Sequence, residues 1–113
     1  MKEKKEALLL RVFIGEKDRD KKTKKLLYKR IVEILKENNI AGATVLRGIL
    51  GYGASSKIHE FSILSISEDL PVVIEAVDEE DKIKKVIPKI EEILSSGLIT
   101  TEKVNVVVYV SEN

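Results

Sequence analysis

The order of apolar and amphipathic segments constrains the fold of this chain more than any other feature. Four short apolar runs have the length typical of β-strands, and they cover residues 7–14, 43–50, 70–77 and 104–110. Two longer segments instead repeat their apolar residues at helical spacing, over residues 24–38 and 79–95. One helical segment lies between the first and second runs, and the other lies between the third and fourth.

The resulting order, β-α-β-β-α-β, is the split βαβ pattern of ferredoxin-like α+β folds. We expect an antiparallel sheet with both helices on one face and a long loop between strands two and three. We also expect strands one and three to be central and parallel to each other. A length of 113 residues predicts a single domain over 1–113. Thr23 and Asp78 are expected to cap the helices, and Pro88 to kink or split the second helix.

The sheet face without helices carries an unusual set of side chains. Strand alternation places on it Leu9, Arg11 and Phe13 from strand one, Val73, Glu75 and Val77 from strand three, and Asn105, Val107 and Tyr109 from strand four. Arg11 and Glu75 would be neighbours and could form an ion pair. Since a mostly apolar open face is typical of an interface, we expect a homo-oligomer in which these faces pack together. The alternative is that the long loop folds back over this face.

Composition excludes several classes of protein. Twenty Lys and Arg residues against 19 Asp and Glu leave a net charge of +1, so we expect no nucleic-acid partner. The absence of cysteine excludes disulfides and zinc sites of the Cys type. No apolar run reaches the roughly 18 residues of a membrane span, and the N-terminal segment lacks the features of a signal peptide, so we expect a cytoplasmic protein. The Lys, Glu and Ile content resembles thermophile usage.

The long loop covers residues 51–70. A glycine-rich segment, residues 47–56, leads into this loop and supplies the candidate ligand contacts. RGILGYGASS matches neither a P-loop nor a dinucleotide-binding fingerprint, but its glycines allow close backbone approach, with Gly48 as a bulge or close-approach point. Two serines and a lysine after it offer hydroxyls and an ammonium group to an anion. The candidate contacts are Arg47, Gly48, Gly51, Gly53, Ser55, Ser56 and Lys57. The alternative is that these glycines only make turns.

His59 is the single histidine, and it precedes Glu60. One histidine without partners is a poor metal site, because zinc sites use about three or four ligands. An ordinary histidine on the loop surface is the alternative to a metal ligand or a proton-transfer group. No convincing nucleophile and base, or acid and base, can be paired in the sequence. We therefore expect no catalytic residues, no resident metal and no enzymatic activity, and we leave the cofactor open.

Three stretches, AGATVLRGILGYGASSKIH, SEDLPVVIEAVDEEDKI and GLITTEKVNVV, together resemble the domain of unknown function (DUF) 190 family. That family is similar to the PII-type nitrogen-regulatory signalling proteins. The resemblance covers about residues 7–110 and implies a trimer with its sheets facing inward. It also implies that the loop between strands two and three docks on partner proteins, and that small effectors, chiefly adenine nucleotides, bind between subunits near the base of that loop. Family members are often encoded near fluoride exporters, which implies a membrane transporter as a partner.

The sequence also departs from the PII pattern. PII-type proteins carry Gly-x-Gly-Lys over phosphate in a second glycine loop, whereas this chain reads SSGLITTEKV, with Gly97 matching one glycine and Lys103 as the only substitute for the lysine. The regulatory tyrosine of PII has no counterpart in residues 54–70. The resemblance therefore implies a regulatory protein that binds a small nucleotide or another anionic effector. The alternative is a trimeric binder of divalent metal that is similar to copper-tolerance proteins of the CutA type and relies on His59.

Overall fold

The computed structural model describes residues 5–54, 56–63 and 69–112. The elements in chain order are β1 Lys5–Gly15, α1 Leu27–Glu37, β2 Thr44–Arg47, β3 Leu50–Gly51, β4 His59–Glu60, β5 Pro71–Asp78, α2 Glu80–Glu91 and β6 Leu98–Val106. The main sheet has the strand order β2-β5-β1-β6, and β3 pairs with β4 in a separate hairpin. Every pairing between these strands is antiparallel. The predicted α+β fold with an antiparallel ferredoxin-like sheet is confirmed.

The two central strands, β1 and β5, run antiparallel, with a register from Leu8 opposite Asp78 to Gly15 opposite Pro71. The prediction that the central strands are parallel is therefore wrong. The reason lies in the helical connections: α1 joins β1 to β2, and α2 joins β5 to β6. Each connection joins two strands of the same direction with one other strand between them, and that intervening strand runs the opposite way.

The core lies between one face of the sheet and the two helices. Alternate residues of both central strands are buried there, among them Leu10, Val12 and Ile74, which are 0 % exposed. The helices bury the stripes that their spacing predicts: Leu27, Ile31, Ile34 and Leu35 in α1, and Ile83, Val86 and Ile90 in α2. This apolar layer holds both helices on a single sheet face, as predicted.

The start of α1 differs from the prediction. The helix begins at Leu27, after Leu26, and Thr23 does not cap it. The buried carboxylate of Asp20 instead accepts the backbone N–H groups of Lys22 at 2.7 Å and Thr23 at 3.0 Å. These bonds hold the segment in a turn, and the helix cannot begin until the chain leaves that turn.

The second helix begins one residue later and ends four residues earlier than the predicted range of 79–95. Asp78 is the last residue of β5 and Glu79 is the residue that precedes α2, so the prediction of Asp78 as the cap is wrong. The carboxylate of Asp78 accepts the N–H of Ala41 at 2.8 Å, which joins the end of β5 to the chain after α1. The helix runs through Pro88 without the predicted split and ends at Glu91.

The last strand, β6, begins at Leu98 and not at residue 104. Its register places Leu98, Thr100 and Glu102 opposite Phe13, Arg11 and Leu9, so these even-numbered residues share the open face. The prediction that Asn105, Val107 and Tyr109 lie on this face is wrong. Asn105 pairs with Glu6 on the opposite side of the sheet, and the other two residues lie beyond the end of the strand.

The open face of the two central strands is as predicted. Arg11 Nε lies 2.9 Å from Glu75 Oε2, which confirms the expected ion pair, and Arg11 Nη1 also lies 3.2 Å from Glu102 Oε1. The hydrogen bond that Arg11 donates to Glu75, ahead of the attraction to both carboxylates, raises the pKa of Arg11 above its ordinary value. Around this charged centre, Phe13, Leu46 and Leu98 keep 37 %, 47 % and 56 % of their surface exposed.

Candidate functional site

The chain between β2 and β5 contains a β-hairpin. Leu50 pairs with Glu60 and Gly51 with His59, and Phe61 N–H donates to the Ile49 carbonyl at 2.6 Å. The sequence pattern also predicts a short extended piece at residues 61–66, whereas the second hairpin strand is His59–Glu60. Residues 64–66 of that prediction lie outside the described residues. We call residues 49–61 the hairpin.

Two glycines place the base of the hairpin against Pro71. A Cβ atom on Gly48 would lie 2.9 Å from Pro71 Cγ, and a Cβ atom on Gly51 would lie 3.1 Å from the same atom. Gly48 N–H also donates to the Pro71 carbonyl at 2.7 Å. Close approach at Gly48 is therefore confirmed, and strand two ends at Arg47 instead of continuing to residue 50. A larger side chain at Gly48 would therefore require either this residue or the Pro71 ring to shift.

A cavity of about 580 Å³ lies between the hairpin and one end of the sheet. The open-face side chains Phe13, Val73 and Leu98 line it, and so do His59 and residues 51–54 of the hairpin. This volume is in the range of small-molecule sites in proteins. The cavity thus lies between the glycine-rich segment, through residues 51–54, and the ends of three strands of the main sheet, β1, β5 and β6.

The structure separates the predicted contact residues. Gly51 and Gly53 line the cavity. Gly48 packs on Pro71, and Arg47 forms an ion pair with Glu16 at 3.1 Å, so neither lines the cavity. Ser56 and Lys57 are exposed and lie outside the lining as well, whereas Ser55 falls outside the described residues. Ligand contact by any of these seven residues stays a prediction.

Sequence reasoning missed two carboxylates in the cavity lining, Asp18 and Asp69. Gly15 N–H donates to Asp18 Oδ2 at 2.9 Å, and Lys17 N–H donates to Asp69 Oδ1 at 2.8 Å. The run that contains Asp18 reads as solvated surface in the sequence. The available signal is the Asp three residues after Gly15, which is typical of a side chain that closes a turn on the backbone.

The segment before β6 also reaches the cavity. Gly97 lines it with a φ of +139°, and a Cβ atom there would lie 2.9 Å from the Phe13 carbonyl oxygen. Only glycine suits this backbone conformation and this distance. Lys103, the sequence substitute for the PII lysine, pairs with Leu8 farther along β6 and does not line the cavity.

His59 is partly buried and lines the cavity from β4. Within the described part of the chain, no group of three or more His, Cys, Asp or Glu residues is placed to hold a metal ion. The described helices include none that is both long and apolar enough to cross a membrane.

The fold of the chain is similar to those of solved structures of PII-like and CutA proteins. CPII of Thiomonas intermedia K12, a nitrogen regulatory PII-like protein bound to ADP, AMP and bicarbonate, aligns with a TM-score of 0.65 and 16% identity over 94% of this chain and 92% of CPII. The divalent ion tolerance protein CutA1 of Ehrlichia chaffeensis aligns with a TM-score of 0.53 and 21% identity over 100% and 87% of the two chains. At these identities the likeness shows the fold alone.

Sequence comparison identifies the family. A UPF0166 protein of Methanocaldococcus jannaschii is 45% identical over 94 residues, which are 82% of this chain and 84% of the relative. The profile of DUF190, described as an uncharacterized ACR, matches residues 7–106. This match spans both helices and all but the first two residues of the strands, and the chain belongs to the DUF190 family.

Proposed function

We propose that this protein is a PII-like regulatory protein that binds a small effector in the cavity and signals its presence to a partner protein through the hairpin. One observation carries the proposal: the hairpin itself forms a wall of the cavity, through residues 51–54 and His59. A ligand there contacts the hairpin and the sheet together. Binding then favours the hairpin position in which both sets of contacts are made.

The surface of the hairpin supports the docking of a partner. Ile49, Tyr52 and Ile58 keep 72%, 70% and 64% of their surface exposed. Contiguous exposed apolar side chains are typical of interaction sites, since they cost free energy in water. The partner that we propose is another protein, with a membrane transporter as the class that the family resemblance implies.

The open sheet face supports a homotrimer with its sheets turned inward. Phe13, Val73 and Leu98 belong both to this face and to the cavity wall. A second subunit packed on the open face would therefore close one side of the cavity and place the effector between subunits. The proposal assigns a binding role, without catalysis, to the described lining residues.

Binding of ADP, AMP and bicarbonate, followed by calorimetry and by thermal unfolding, tests the effector site. We expect at least one of these probes to raise the unfolding midpoint at millimolar concentration and to slow amide exchange in residues 49–61. Leu98→Trp should reduce the shift because its larger ring occupies part of the cavity. Val108→Trp is the matched control, since Val108 is an exposed apolar residue beyond the end of β6 that does not line the cavity. No shift with any probe, or equal shifts in both variants, would contradict the proposal.

Divalent-metal binding of the CutA type is the second candidate function. The observation in its favour is that His59 lines the same cavity as Asp18 and Asp69. Its support is weaker, because these residues do not form a metal-holding group in the described structure. Titration with Cu²⁺ of the wild type and of His59→Ala decides it. Equal binding by the two proteins would remove His59 from any metal site.

A further inference from the structure

The loop between β1 and α1 concentrates positive charge. Residues 19–25, which we call the basic loop, contain five Lys and Arg residues against one Asp, whereas the whole chain has a net charge of +1. Lys22 lies 3.3 Å from Glu92, an exposed ion pair of the kind that contributes little to stability. The basic side chains are all exposed: Arg19, Lys21, Lys22, Lys24 and Lys25. The basic loop therefore offers a positive potential to a partner at the surface.

Backbone hydrogen bonds hold the basic loop in one conformation. Asp20, its single acid, is 1 % exposed, and its carboxylate accepts two backbone N–H groups of the loop itself. Asp20 N–H donates to the Lys25 carbonyl at 2.7 Å, and Lys21 N–H donates to the Ile93 carbonyl at 3.0 Å. The acid is thus buried beneath the loop, while the basic side chains lie on its surface.

The hairpin lies at the same end of the sheet as the basic loop. Gly15, at the end of β1, pairs with Pro71 of β5, and Gly48 N–H at the base of the hairpin donates to the Pro71 carbonyl at 2.7 Å. The ion pair of Arg47 with Glu16, at 3.1 Å, joins the chain before the hairpin to the chain before the basic loop. The hairpin adds exposed apolar side chains to this end: Ile49, Leu50, Tyr52 and Ile58.

Basic and apolar side chains on one surface are the combination that binds anionic lipid bilayers, because the cations attract the headgroups and the apolar groups enter the acyl boundary. Aliphatic side chains such as Ile49 and Ile58 favour a bilayer over a nucleic acid, whose contacts are mostly polar or aromatic. We infer that this end of the protein binds an anionic lipid surface through the basic loop and the hairpin. The inference rests on the proposed function for docking through the hairpin, and it places that docking at a membrane surface.

Vesicle co-sedimentation of the full chain at neutral pH and low salt tests the inference. Charged vesicles contain equal parts of phosphatidylcholine and phosphatidylglycerol, and neutral vesicles contain phosphatidylcholine alone. We expect at least about tenfold tighter binding to the charged vesicles, because each Lys or Arg near an anionic surface strengthens binding about fivefold. Added salt should weaken this binding, since the attraction is electrostatic. Equal binding to both vesicles, or none to the charged ones, would overturn the inference.

Two double variants locate the charge. Lys24→Asn with Lys25→Gln removes two charges, and Asn suits the φ of +66° at residue 24, so the variant should fold and bind charged vesicles at least about tenfold more weakly. Lys36→Gln with Lys85→Gln is the control, since it removes two exposed charges from the helices. Thermal unfolding confirms that both are folded, and an equal loss of binding in both would exclude a specific role of the basic loop.

A second pair of variants tests the apolar contact. Ile58→Ser removes one exposed apolar side chain from the hairpin and should weaken binding to charged vesicles severalfold. Val108→Ser is the control, because Val108 is 70 % exposed and follows the end of β6, which lies at the opposite end of the sheet. Equal binding by these two variants would remove the hairpin from the lipid contact.

The outcomes separate this inference from the function on which it rests. If ADP, AMP or bicarbonate binds in calorimetry while charged vesicles do not, the lipid contact fails and the effector site stands. If charged vesicles bind and none of these three probes does, the lipid contact stands and the effector site fails. Binding of duplex DNA that Lys24→Asn with Lys25→Gln weakens, without vesicle binding, would assign the basic loop to nucleic acid and overturn the inference.

Discussion

The two faces of the main sheet are made by the same strands and differ in what covers them. On the helix face Leu10, Val12 and Ile74 are fully buried by the two helices. On the open face Phe13 and Leu98 stay partly exposed beside a network of charges around Arg11. The difference shows that one face is completed within the chain, whereas the other is left open, as the proposed homotrimer requires.

The comparison is tested most strongly by two neighbouring leucines on β1. Leu10→Ala removes a fully buried side chain of the helix face and should lower the free energy of unfolding by about 3 kcal/mol. Leu9→Ala makes the same change on the open face and should cost about 1 kcal/mol at concentrations where the chain is monomeric. Urea unfolding measures both, and an equal loss would show that the two faces are equally packed within one chain.

Two acidic residues of β5 should give the next largest difference in the unfolding free energy lost on substitution. Asp78 is buried and accepts the N–H groups of Ala41 and Glu79, so Asp78→Ala leaves two donors without this acceptor and should cost about 2 kcal/mol. Glu75 is about a third exposed in its ion pair with Arg11, and Glu75→Ala should cost less than about 1 kcal/mol. A larger loss for Glu75→Ala would reverse the comparison.

Acid should lower the free energy of unfolding by protonating two buried carboxylates on the helix side of the sheet, Asp20 and Asp78. Burial alone would raise the pKa of Asp20 and Asp78, but hydrogen bonds from backbone N–H groups outweigh it and leave each pKa below its ordinary value. A lowered pKa stabilises the fold above the ordinary Asp value of about 4, and this contribution is lost as the pH falls through the lower, folded-state pKa.

Unfolding free energies measured from pH 7 down to about pH 2 would show this loss. Asp78→Asn should flatten the profile, while Glu75→Gln on the open face serves as the control. An unchanged profile in Asp78→Asn would exclude Asp78 as a source of the acid sensitivity.

The smallest effect on chain stability is expected at the rim of the open face. Leu46→Ser changes a side chain that is 47% exposed and should alter the unfolding free energy of the monomer by less than about 0.5 kcal/mol. It should nevertheless weaken the proposed homotrimer, which is measured as the molar mass by light scattering over a dilution series. Ile58→Ser, on the hairpin, is the control, and equal effects of both variants on assembly would contradict the inward-facing arrangement.

Local spacing was sufficient to predict most of the fold. The spacing of apolar residues within a single helix or strand predicts which residues of α1, α2, β1 and β5 face the core. These predictions are confirmed. The bounds of β6 were missed because this edge strand carries polar residues on both sides, such as Thr101 and Glu102, and so lacks the apolar alternation of a central strand.

The candidate site was predicted only in part for a related reason. Gly51 and Gly53 are recognisable from their local spacing, and they line the cavity. Asp18 and Asp69 are far apart in sequence and meet above Gly15 only because β1 and β5 pair antiparallel in this register. No local pattern contains that information, since it depends on which strand ends come together.

Pro71 connects the cavity to the hairpin. The same ring lines the cavity and supports Gly48 and Gly51, and its carbonyl accepts the Gly48 N–H. A proline has a fixed φ, so the backbone at Pro71 has less rotational freedom than at other residues. Under the proposed function, thermodynamic reciprocity requires that a partner that favours one position of the hairpin increases the affinity for the effector by the same factor by which the effector promotes docking.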